Sequence, residues 1–158
     1  MKKYIFTILF ILIFSVVWYL ILNFNKNKSA TDISELELTY DNSFYTDHIE
    51  IIFNKNCIVC HQDNKKKGGL NMISPNKIKM GGNNGSVLII GNAYKSEIYK
   101  RIILPVSEKK HMPKGKPALS NYEIKLIKWW INSGASFSKK IKEYILPERI
   151  KIILDVKI

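Results

Sequence analysis

Cys57-Ile58-Val59-Cys60-His61 is the stretch of this chain whose residue types and spacing could do chemistry. Two thiols stand one helical turn apart, and an imidazole follows the second directly. Thiol–disulfide exchange uses C-x-x-C, but within a strand–helix–strand setting, and that alternation is weak here. A tetrahedral zinc site needs four ligands. Two Cys and His61 leave one wanting, and nothing nearby repeats the spacing. The third chemistry is covalent haem attachment, whose spacing is C-x-x-C-H. Thiols one turn apart can each add to one of the two vinyl groups on the same edge of a porphyrin. The following His then lies beneath the ring, where a ring nitrogen can reach the iron. This reading uses all three side chains, with Cys57, Cys60 and His61 binding the cofactor and His61 on the metal. Haem would carry the redox chemistry, while the protein tunes it through axial ligands, burial and hydrogen bonds.

A haem that only passes electrons usually takes a second axial ligand, and His111-Met112-Pro113 is the leading supplier. It lies in irregular chain downstream, with Pro113 stiffening the backbone. Neighbouring residues of an extended segment point opposite ways, so His111 and Met112 cannot both face the iron. Met112 is the expected distal ligand; its sulfur would raise the reduction potential relative to a second His. His111, Met80, Met72, His48 or an open position could take its place, and packing is the ordinary role of a Met. An exchangeable sixth site would suit a haem-based sensor or accessory subunit. A peroxidase would need a distal acid/base group, for which His111 is the candidate.

These residues need elements to position them. From Thr46 the pattern turns helical, with Ile49, Ile52 and Phe53 on one side, and leads directly into Cys57. Lys65 to Gly69 reads as a charged turn and Gly81-Gly82-Asn83-Asn84-Gly85 as a loop whose glycines permit positive φ. Val87 to Ile90 is too short to classify. Ser96 to Leu104 has helical spacing at Ile98, Ile102 and Ile103, with Pro105 as a stop. After an irregular basic segment, Ser107 to Lys116, comes Ser120-Asn121-Tyr122-Glu123, a capping box. Ile124, Ile127, Trp130 and Ile131 form the buried face of the helix it starts, and Gly134 suits its left-handed terminator. Trp130 is expected in the core or at the haem edge, its indole N–H seeking an acceptor such as a haem propionate. Trp129 points elsewhere, toward the surface. Residues 139–158 could be a strand pair, an amphipathic helix or a partner-binding tail.

Ahead of these elements, Tyr4 to Phe24 carries no charge and is dominated by Ile, Leu, Phe and Val. Its length, about 20 residues, matches a hydrocarbon core of roughly 30 Å. Tyr4, Trp18 and Tyr19 stand toward the interfaces. A cleavable signal would have a shorter apolar run and a small-x-small site; here Lys28 occupies a position that site needs small. An uncleaved single-pass anchor is expected, and the absence of a following Cys excludes an acylated lipoprotein. Lys2 and Lys3 oppose Lys26 and Lys28, so charge alone does not orient the span. The expected organisation is an anchor over 1–25, a polar tether over 26–43, a helical haem domain over 44–138 and a tail over 139–158.

The formal charge is +12 over 158 residues, with two cysteines in all. One short-spaced pair is not a disulfide scaffold. The Lys excess is spread along the chain as a solvated surface would be, without the Arg-rich helix and interleaved aromatics of a nucleic-acid footprint. No nucleic-acid partner is expected. Acidic redox partners steered by Lys are.

From about Ser43 to Phe137 the chain resembles the planctomycete-type cytochrome c domain, a small family within the class I cytochrome c fold. The resemblance runs in order through Cys57-Ile58-Val59-Cys60-His61, Lys67-Gly68-Gly69-Leu70, Gly81-Gly82-Asn83-Asn84-Gly85, Gly91-Asn92 with Ser96, Met112-Pro113, and Leu119-Ser120 leading to Trp130-Ile131-Asn132-Ser133-Gly134-Ala135. It departs at Ile90, where the family tends to carry Pro, and in placing His111 beside the Met. It implies a mainly α, cytochrome c-like domain around one covalent haem c, His61 proximal, Met112 distal, and electron transfer rather than an enzymatic reaction. Haem attachment is extracytoplasmic in bacteria of this kind, so the domain is expected on the periplasmic side of the inner membrane.

Overall fold

The computed structural model describes residues 12–24 and 42–154, within two units, Met1–Tyr40 and Asp41–Ile158. In the first unit, residues 12–24 form a helix (α1). Its apolar side chains are exposed, from Leu12 to Phe24. Among the described residues no helix is long and apolar enough to cross a membrane. Residues 4–11 of the expected span and 26–41 of the expected tether lie outside the described residues, as do 155–158 of the tail.

In the second unit the stripe at Ile49, Ile52 and Phe53 is buried as expected. It spans a wide π turn, Tyr45–Ile49, that continues into α2, Glu50–Asn56. Cys57 caps α2, donating its N–H to the Phe53 carbonyl at 2.8 Å, which Ile58 shares at 3.1 Å. A tight hairpin follows, β1 (His61–Gln62) against β2 (Lys65–Lys66), with His61 opposite Lys66. The helix α3, Pro75–Met80, is one the hydrophobic pattern did not indicate, because Ile78 is its single buried residue. Local chemistry makes it: Ser74 accepts from the Lys77 N–H, and Pro75 sits in the first turn, where its missing donor costs nothing. Gly81 ends it at φ +76°.

α4 is Glu97–Ile102, shorter than the Ser96-to-Leu104 pattern; Ile103 is exposed while Ile98 and Ile102 are buried. α5, Asn121–Asn132, opens on the expected capping box, with Ser120 and Glu123 each bonding the other's backbone N–H. Gly134, at φ +107°, follows its end.

The core gathers on α5. Trp130 is fully buried, with ring centroids 5.7 Å from Tyr45, 6.1 Å from Phe53 and 5.3 Å from Phe137. Offset and edge contacts at such spacings suit the ring quadrupoles. Trp129 is not a free surface residue. It packs 4.7 Å from Phe44 and 5.0 Å from Tyr144.

Tyr144 belongs to the C-terminal segment, which joins the unit. Phe44 donates its N–H to the Lys139 carbonyl at 3.1 Å, and Ser43 bridges Lys140. Ile141 and, in a last helix α6 (Glu148–Leu154), Ile150 are buried. Of the three forms open to residues 139–158, the described part takes a helical turn and a short helix.

Candidate cofactor site

The end of α2 delivers both thiols. Cys60 donates its N–H to the Cys57 carbonyl at 3.1 Å, and His61 donates to the same carbonyl at 3.1 Å and to that of Ile58 at 3.0 Å. The segment 57–61 is thus one wound turn rather than extended chain. The next residues fasten it from outside, with Lys67 N–H on the Cys60 carbonyl at 3.2 Å and Met72 N–H on that of His61 at 2.8 Å. Behind that wall, the 81–85 loop docks on the 67–70 turn through Asn83 N–H to the Gly68 carbonyl at 2.9 Å. Gly69, at φ +71°, sits so close to the Asn83 side chain that a Cβ there would overlap it. This approach is why the motif needs glycine.

The turn faces a cavity of 510 Å³, within the range of about 300–1,000 Å³ common for cofactor and small-molecule clefts. Cys57, Cys60, His61 and Met112 all line it, with apolar walls from Leu70, Val87, Ile98, Ile102 and Leu119. The two cysteines are not joined in a disulfide. Burial pushes the Cys57 thiol up to about 12; the charge of Lys116 works against this and that of Glu123 with it. Disulfide exchange relies on a thiol pKa lowered toward neutrality, opposite to the direction in which burial moves Cys57. The βαβ setting is also missing among the described residues, whose one sheet is the two-residue hairpin. Burial lowers the pKa of His61 as well, which keeps the imidazole neutral and its lone pair free for a metal. Its Nδ1 is buried without a hydrogen-bond partner.

Met112 is held by its own N–H, which donates to the Arg101 carbonyl at 3.1 Å. His111 turns the other way. It is 2% exposed and does not line the cavity, and its Nδ1 lies 2.7 Å from the Leu104 carbonyl. A carbonyl only accepts, so Nδ1 carries the proton. The distal acid/base role that a peroxidase would require of His111 is therefore not supported by its position. Met72 also lines the cavity, whereas Met80 and His48 do not.

Trp130 is the expected site residue that the structure keeps away from the cavity. Its indole N–H donates to the Ser136 carbonyl at 2.8 Å, which meets the need for an acceptor within the core and leaves none to be met by a cofactor. Sequence reasoning missed Asn56, Arg101 and Lys116 on the cavity wall. Arg101 and Lys116 make a basic rim with Lys67, Lys95, Lys100 and Lys114, and Glu97 is the single acid lining the cavity among the described residues. The basic 107–116 segment was legible; its gathering with Lys67, Lys95 and Arg101 on one cavity was not.

Two thiols, an imidazole with an orphaned buried nitrogen and a thioether, set around an apolar cleft, fit a c-type haem. No group of three or more His, Cys, Asp or Glu side chains among the described residues is placed to share a bare metal ion. Residues 57–115 match the family model of planctomycete cytochrome C, so the resemblance drawn from the ordered motifs holds over this segment. A cytochrome c family implies covalently bound haem c and electron transfer. No curated protein and no solved structure matches the chain.

Proposed function

We propose that the chain is a membrane-anchored electron carrier with one haem, held through thioethers at Cys57 and Cys60 and ligated by His61 and Met112. The observation that carries this reading is that these four side chains, which span positions 57 to 112 of the sequence, line one apolar cavity. A neutral, desolvated imidazole and a thioether are the ligand pair of electron-transfer cytochromes, and the Met raises the potential. The 4–24 apolar run supplies a single-pass anchor to the inner membrane, with the haem domain on the periplasmic side and 26–43 as tether. The cationic rim of the cavity suits acidic redox proteins as partners, by long-range attraction on approach.

The decisive experiment is a haem stain of the full chain on a denaturing gel. Wild type should stain, and the Cys57→Ser/Cys60→Ser double variant should not. A colourless wild type recovered from its own membrane, with both thiols open to alkylation, would end the haem reading. Reduced protein that binds carbon monoxide readily would replace the carrier by a sensor with an exchangeable sixth ligand.

A further inference from the structure

Side chains from two distant segments converge on the last turn of α2, the turn that presents Cys57. Glu123 Oε1 accepts from Asn56 Nδ2 at 3.2 Å and from Lys55 Nζ at 3.3 Å. Asn56 Nδ2 also donates to the Ile52 carbonyl at 3.0 Å, and Lys116 Nζ donates to the Lys55 carbonyl at 3.2 Å. The last carbonyls of a helix have no partner within it, and a cation there also opposes the helix dipole. Asn56 and Lys116 both line the cavity, and Lys116 belongs to the same loop as Met112.

The two oxygens of Glu123 have separate tasks. Oε2 closes the capping box, accepting from the Ser120 N–H at 2.8 Å and its hydroxyl at 2.9 Å. That task is local and complete without Oε1. Oε1 reaches 67 positions back to Asn56. The residue is 9% exposed, and a carboxylate with so little access to water is stabilised when its lone pairs are taken up by donors.

We propose that Glu123 is a positioning residue for haem attachment: through Asn56 and Lys55 it fixes the direction in which the Cys57 thiol leaves α2. This rests on the haem reading. Each attachment adds S–H across a vinyl double bond, sulfur to the carbon next to the ring and hydrogen to the terminal carbon, with nothing released. The thiol must therefore be held within bonding reach. Cys60 is tied forward, its carbonyl accepting from the Lys67 N–H, whereas the backbone bonds of Cys57 run only to Phe53 within α2 and to Cys60 and His61 in its own turn. Cys57 ends a seven-residue helix, and beside the Phe53–Trp130 packing the Glu123 contacts join the polar side of that end to α5. Loss of the Glu123 contacts should weaken attachment at Cys57 and spare Cys60.

The test is E123Q in the full chain, read by the alkaline pyridine haemochrome, whose visible band moves to the red when one vinyl group stays unsaturated. Gln keeps the capping box, because its carbonyl oxygen can still accept from Ser120, while its NH₂ cannot accept from Asn56 and Lys55. The ratio of doubly to singly attached haem should fall about tenfold or more, since a misplacement of about 1 Å can cost a reacting group about a hundredfold in rate. Peptide mass spectrometry should find the free, alkylatable thiol at Cys57. S120A is the control that disturbs the cap and leaves Oε1 alone; it should lower the melting temperature with both thioethers intact. Double attachment at the wild-type ratio in E123Q, or the same defect in S120A, would overturn the proposal. A wild type without haem would remove the reading beneath it and this one together.

Discussion

The backbone N–H of Met112 donates to the carbonyl oxygen of Arg101 at 3.1 Å, tying the loop that carries the thioether to the end of α4. Ile98 and Ile102 on that helix form part of the cavity wall. The position of the sulfur is thus set by a helix whose own place is decided in the core. Met112→Ala should abolish the weak far-red sulfur-to-iron band of the oxidised protein and leave the covalent haem in place. Met72→Ala should keep the band. A band that survives Met112→Ala and disappears in Met72→Ala would reassign the distal ligand.

His111 supports the same loop from the opposite side. Its Nδ1–H donates to the Leu104 carbonyl in a buried setting. His111→Phe puts a somewhat larger ring in the same place and removes both the Nδ1 donor and the unpartnered Nε2, leaving that carbonyl unpaired. A buried unpaired polar group costs about 1–3 kcal/mol, so guanidinium unfolding should show a loss of that size. The far-red band should weaken with it, because the loop is released. An unchanged unfolding midpoint would mean that the bond contributes nothing.

Trp130→Phe tests the separation of core from cofactor. The indole donor to Ser136 is lost along with part of a fully buried ring. A cost of about 1–3 kcal/mol is expected from the unpaired carbonyl and lost volume. The haem spectrum should not change. A shifted spectrum would show that Trp130 reaches the haem after all.

Glu123 sets an acid limit. Burial would raise its pKa, but donors from Ser120, Lys55 and Asn56 outweigh burial and hold it below the ordinary carboxylate value. A carboxyl with a depressed folded-state pKa stabilises the fold above its unfolded value, roughly 4.3, and loses that contribution as pH falls through the folded value. Melting temperature should therefore drop as pH is lowered below that range. E123Q should flatten this part of the profile. An identical pH profile in E123Q would assign the acid sensitivity to other groups.

The basic rim should be visible in kinetics. Lys67, Lys95, Lys100, Arg101, Lys114 and Lys116 line the cavity, and Glu97 is the one acid that lines it among the described residues. Electron-transfer rates with an acidic partner should fall as ionic strength rises, since the attraction is screened beyond about 8–10 Å at 0.1–0.15 M salt. Rates indifferent to salt would remove electrostatic steering from the account.

Local rules made much of this molecule legible from its residues. The stripe Ile49, Ile52, Phe53 leading to Cys57 needed only helical periodicity, and the Ser120–Glu123 box only a spacing of three. The 81–85 loop was visible through its glycines. α3 was not, because a six-residue helix with one buried side chain has no periodicity to detect. The role of residues 139–158 also stayed open, since alternating basic and apolar residues fit a strand or a helix equally until something packs on them; here Phe44 and Trp129 meet Tyr144.

By itself, the sequence determined the local chemistry: two thiols and an imidazole within five positions, a capped helix, and a Met beside a His that cannot face the same way. These are properties of neighbours in the chain, set by bond geometry and backbone hydrogen bonding. Tertiary structure decided which of His111 and Met112 meets the cavity, where the Trp130 indole finds its acceptor, and that Glu123 reaches Asn56 from 67 positions away. Those outcomes depend on how distant segments close around one core, and burial there selects a partner for each polar group that no local pattern specifies.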